Sequence, residues 1–83
     1  MALESTGEFI RQHRSRRNLT QSALAELCGM GQGTISRIET GSEPIRSVET
    51  LMTLARVLEC SHLSILVRLE REHATNTGGW RAR

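Results

Sequence analysis

Residues 29–34 read GMGQGT, three glycines alternating with larger residues ahead of a threonine. Such a run supports two kinds of chemistry. Glycine lets backbone N–H groups approach an anion, which makes the stretch a candidate phosphate cradle, and the same letters also form a tight turn feeding a helix. The charged residues narrow the field. All 11 basic residues are arginine and all 9 acidic residues are glutamate, for a net charge of +2 in 83 residues. Arginine's planar fork suits bidentate pairing with phosphate and guanine. The absence of lysine and aspartate removes the phosphate-loop lysine, the aspartate of a Ser-His-Asp triad and the usual calcium-loop ligands. Nowhere does the sequence gather a nucleophile, a base and an oxyanion donor, so the reading is of a protein that is not an enzyme. Cys28 and Cys60 belong to no CxxC pattern and His13, His62 and His73 are scattered. The cysteines are therefore expected to be reduced, buried thiols, with no metal and no cofactor.

The elements that must carry these residues are helices punctuated by glycine, in a chain of one-domain size. Ser5 with Glu8 three residues on predicts a capped helix over about 5–17. Thr20 caps a second short helix, QSALAELC, in which Leu24, Leu27 and Cys28 share a face and which Gly29 ends. A third follows with Ile35 and Ile38 on one side and Gly41 just past its end. Ser47 opens a fourth, in which Val48, Leu51, Met52, Ala55 and Leu58 follow the helical period as the expected backstop of the core. Residues 62–72 satisfy two periods. Leu63, Ile65, Val67 and Leu69 alternate like a strand, whereas Ser61 caps a helix with Leu63, Leu66 and Val67 on one face. Residues 1–73 form the expected domain, and 74–83, ATNTGGWRAR, the expected disordered tail.

This map decides the opening stretch. A dinucleotide-binding GxGxxG follows a strand and carries a third glycine, but here a helix precedes it and Thr34 stands at that position. What remains is a short helix, a glycine turn and a second short helix, the arrangement that lays its second helix in a DNA major groove.

The run LTQSALAELCGMGQGTISRIETG, followed by SVETLMTLARVLECS, resembles the Cro/CI-type (XRE) helix-turn-helix domains of phage repressors over residues 7–66. The matching positions are Gln21 opening the motif, small Ala25 where the helices cross, Gly29 at the turn, and apolar Leu24, Cys28, Met30, Ile35 and Ile38. Gly31 and Gly33 depart from it, since the family often has Ser or Thr at the former and a larger side chain at the latter. The resemblance implies an all-α, compact five-helix lambda-repressor-like fold with the motif at helices 2 and 3, the 62–72 segment being either a fifth helix or a dimerising strand. It also implies an ion pair between Arg14 and Glu39.

With Ile35 and Ile38 inward, Gln32, Gly33, Thr34, Ser36 and Arg37 are the expected DNA-base contacts, glutamine matching adenine, arginine guanine and a threonine methyl thymine. Gln21, Arg11, Arg17, Thr40 and Arg46 are the expected phosphate contacts, Gln21 through the resemblance and others from a stretch, residues 9–37, that holds five arginines against Glu26 alone. The apolar residues of the fifth segment, Leu63, Ile65, Leu66, Val67 and Leu69, exceed what so small a core hides and are assigned to a dimer interface. The expected function is sequence-specific DNA binding by a homodimeric transcriptional regulator, read as a repressor on a palindromic operator. The alternatives are an antitoxin with a toxin partner, a restriction-modification controller protein, or a module that binds only other proteins. No run of about 18 apolar residues and no signal-peptide core is seen, so the expected location is cytoplasmic, without a membrane partner.

Overall fold

The computed structural model describes residues 4–76, and the regular elements among them are all helices: α1 (Thr6–Arg16), α2 (Gln21–Cys28), α3 (Gln32–Thr40), α4 (Val48–Leu58) and α5 (His62–Asn76). Their boundaries follow from local chemistry. Ser5, Thr20 and Ser47 sit in extended backbone at the starts of α1, α2 and α4, and their hydroxyls accept hydrogen bonds from the amides of Glu8, Ala23 and Thr50. Gly29, at φ 71°, ends α2 in the left-handed conformation, and the next amide, Met30 N–H, donates to Ala25 O at 2.8 Å. This reverses the chain within two residues.

The core is built from Phe9 and Ile10 of α1, Leu24 and Ala25 of α2, Ile35 and Ile38 of α3, Leu51, Leu54, Ala55 and Leu58 of α4, and Ile65 of α5. Each large side chain removed from water contributes on the order of 1.5–3 kcal/mol. Cys28 and Cys60 are free thiols that pack partly buried against this core, and burial pushes both above the ordinary thiol range. Among the described residues no helix is long and apolar enough to cross a membrane.

Three expectations are corrected. The inward face of α4 centres on Leu54, which leaves Val48 and Met52 exposed at 73% and 42%. The strand alternative for 62–72 fails, because the apolar residues divide by the helical period. Ile65, Arg68 and Leu69 turn inward while Leu63 and Val67 stand exposed, so the apparent alternation falls on two faces of one helix. Ile65 is fully buried in the monomer core and cannot belong to a dimer interface, while Leu66 and Leu69 are partly buried against that core. In addition, α5 runs through Asn76, three residues past the expected domain boundary. The rest of the expected tail, 77–83, lies outside the described residues.

α5 closes the fold by gripping the start of α1. Glu72 accepts hydrogen bonds from the Thr6 amide at 2.7 Å and the Thr6 hydroxyl at 3.0 Å. One turn earlier Arg68 lies over the Phe9 ring, 4.2 Å from its centre, and donates to Glu4 at 2.8 Å. The Glu4 carboxyl is held below its usual range, first of all by that hydrogen bond. The same first turn of α1 rests directly on the C-terminal carbonyls of α3. A Cβ built on Gly7 would fall on the Glu39 carbonyl oxygen and 2.6 Å from that of Ile38, so only glycine permits this approach.

Candidate nucleic-acid interface

The turn at Gly29 sets α3 across α2, and Ile35, Ile38 and Glu39 bury one side of α3. Gln32, Gly33 and Arg37 are left exposed, with Thr34 and Ser36 half-buried at the edges of the same face. The five expected base contacts thus share one exposed strip. α3 begins at Gly31, which supplies no side-chain cap, in keeping with its departure from Ser or Thr.

Behind that strip runs a chain of hydrogen bonds whose source is Glu39. Its side chain is 3% exposed, and it accepts from Arg14 Nε at 2.6 Å and Arg14 Nη2 at 3.0 Å, a bidentate pair. Arg14, 14% exposed, gives Nη1 to the Leu19 carbonyl at 2.8 Å. The hydrogen bond to Glu39 holds the guanidinium above its usual pKa. The ion pair implied by the resemblance is therefore formed, and it joins α1 to α3.

Glu39 accepts a further hydrogen bond, from Gln21 Nε2 at 2.9 Å, and Gln21 Oε1 in turn accepts from Gln32 Nε2 at 2.7 Å. A carboxylate only accepts. Gln21 must therefore turn its NH2 toward Glu39 and its oxygen toward Gln32, which leaves Gln32 showing one N–H and its carbonyl to solvent. This is the donor-acceptor pair that matches the major-groove edge of adenine. The buried carboxylate thus sets the polarity of an exposed amide two residues along the chain of bonds. The sequence reading missed the link, because it treated Gln21 as a phosphate contact alone.

Arg37 lies along the surface, with Nε donating to Glu43 at 2.7 Å and Nη2 close to the Thr34 hydroxyl at 3.4 Å. An exposed pair of this kind is worth roughly 0–1 kcal/mol, little enough for a stronger acceptor to displace Glu43. Glu43 was not singled out in the sequence, where nothing marks a loop glutamate six residues on as a partner.

The expected phosphate residues are more dispersed. Gln21 is half-buried and held between Glu39 and Gln32. The Thr40 hydroxyl donates to Arg37 O at 3.2 Å, and Arg46 is exposed in the loop after α3. Arg11 is paired loosely with Glu8 at 4.0 Å. Arg17 is turned to Glu59, with N–O distances of 3.1 Å, and so braces the end of α4, where Glu59 itself takes a left-handed φ of 54°.

Comparison with known proteins places this geometry. A model of the helix-turn-helix domain family matches residues 6–64. The HTH-type transcriptional repressor RghR of Bacillus subtilis (strain 168) is 33% identical over 66 residues, covering 80% of this chain and 49% of RghR. The chain thus spans about half the length of that relative. The Bacillus subtilis master regulator for biofilm formation SinR, solved in complex with DNA, superposes with a TM-score of 0.69 at 30% identity, over 74% of this chain and 97% of that one. The P22 c2 repressor in complex with a synthetic operator gives 0.71 at 28% identity, over 76% and 94%.

Proposed function

This chain belongs to the helix-turn-helix domain family, and on that premise we propose that it is a sequence-specific DNA-binding transcriptional regulator, a repressor acting as a homodimer on a two-fold-symmetric operator. The observation that carries the reading is the exposed strip of α3, with Gln32 oriented from behind through Gln21 and Glu39. RghR is named a repressor, and SinR and the P22 c2 repressor were solved on DNA, which supports the same use of α3 here. Gln32 and Arg37 read base edges, Thr34 and Ser36 contribute at the margins of the strip, and Gly33 lets the DNA come close. Gln21, Arg11, Arg17, Thr40 and Arg46 serve the phosphates.

Base reading and charge separate experimentally. Gln32→Ala costs about 1–3 kcal/mol on the operator and relaxes preference at one base pair, with little change on scrambled DNA. Arg37→Ala also loses more on the operator than on scrambled sequence. Titrations at several salt concentrations check this. An equal loss on both DNAs, with the salt slope reduced by about one unit on each, would make Arg37 a phosphate contact and overturn its assignment to the reading face.

One domain covers about a half-site, and pairing sets two recognition helices about 34 Å apart. The exposed Leu63 and Val67 of α5 are the dimer contacts that remain after Ile65 is withdrawn. A Leu63→Glu, Val67→Glu double variant should keep its thermal stability and sediment as a monomer where the parent chain is a dimer. A parent chain that stays monomeric at micromolar concentration, with and without operator, would refute the dimer.

A further inference from the structure

A groove of about 930 Å³ opens where the first turn of α1, the loop after α3 and the last turns of α5 meet, beside the Thr6–Glu72 contact and the Arg37–Glu43 pair. Its apolar surface comes from Pro44, Ile45 and Leu69, and its negative charge from Glu70 and Glu72, since Glu43 at its edge is already paired with Arg37; His73 lines it as well, and no arginine does. The C-terminal end of α3, at Thr40 and Gly41, also opens into it and adds the negative end of a helix dipole. The chemistry selects an occupant with a large apolar group beside a cation.

Residues 77–83, TGGWRAR, supply both on the strand of chain that directly follows α5. They hold the only tryptophan of the sequence, with Arg81 and Arg83 beside it. The reach is adequate. From Asn76 back along α5 to Leu69 is seven residues, about 10.5 Å of helix, and the four residues from Asn76 to Trp80 extend as far as about 14 Å. Gly78 and Gly79, which lie between α5 and Trp80 in the sequence, carry no side chain to oppose a tight reversal. We propose that this segment folds back onto its own domain, Trp80 against Pro44, Ile45 and Leu69 and the arginines against the groove's carboxylates. Tethering makes the contact intramolecular, so a modest affinity suffices to fill the groove.

Trp80 reports on itself, because no other residue shares its emission, and the test needs no DNA, so its outcome is separate from that of the DNA-binding reading. In the full chain, Trp80 emission is blue-shifted and its acrylamide quenching several-fold weaker than in the free peptide TGGWRAR, at every protein concentration. Glu70→Arg, at an exposed position, returns quenching toward that of the peptide while the helical circular dichroism and melting temperature hold. Quenching in the parent chain equal to that of the peptide overturns the proposal, as does protection that Glu70→Arg leaves intact. Protection that appears only as concentration rises also overturns it, by assigning the groove to a second copy's segment.

Discussion

Gly7→Ala melts more than about 12 °C below the parent domain. One added methyl meets the main-chain carbonyls of Ile38 and Glu39, neither of which can swing aside as a flexible side chain would, so α1 as a whole must lift from α3. Overpacking of a tight site costs about 1–3 kcal/mol and occasionally more; with backbone on both sides the upper end applies, at about 4–8 °C per kcal/mol in a domain this small. Gly33→Ala is the internal control. There the new Cβ meets only the end of the Arg37 side chain, at 3.3 Å, and alanine inside a helix gains up to about 1 kcal/mol over glycine. The same chemical change is thus destabilising at one position and stabilising at the other. Thermal unfolding of the two variants checks it, and a Gly7→Ala protein that melts within a few degrees of the parent would disprove the close approach of α1 to α3.

Glu39→Ala is the second large loss, about 3–5 kcal/mol in chemical denaturation. The carboxylate is almost wholly buried and serves three donor groups, so its removal leaves the Arg14 guanidinium desolvated without its counter-charge and Gln21 without its anchor. Arg14→Ala exposes the converse problem, a buried carboxylate stripped of its cation. A double variant, Arg14→Met with Glu39→Leu, recovers most of the stability, because an apolar pair of similar volume needs no compensation. It should not recover operator affinity, since Gln21 and Gln32 then rotate independently. A Glu39→Ala protein within about 1 kcal/mol of the parent would mean that water reaches this pair and screens it.

What the sequence revealed and what it concealed divide by range. Helix starts at Ser5, Thr20 and Ser47 and stops at Gly29 and Gly41 were legible because a cap is an exchange between residues two to four apart. The reading strip was legible for a related reason: Ile35 and Ile38 fix which side of α3 is inward, and the others follow by the helical period. α5 was not, since its apolar residues satisfy a period of 2 and of 3.6 alike, and only the surfaces presented by α1 and α4 choose between them. Ile65 was assigned to a dimer for the same reason, as a surplus over a core imagined without α5. Gly7 was not singled out in the sequence; its necessity comes from a helix crossing that no local pattern records. The hydrogen-bonded path from Glu39 to Gln32 likewise depends on where α2 meets α3.

The grip of Glu72 on Thr6 bears on how the domain breathes. First-turn amides of a helix have no partner within the helix and ordinarily trade their protons with water freely. The Thr6 proton is committed to a carboxylate 66 residues away, and it is released when the Glu72 side chain turns away or α5 lifts from α1. Its exchange with solvent therefore reports how often the contact between the first and last helices opens.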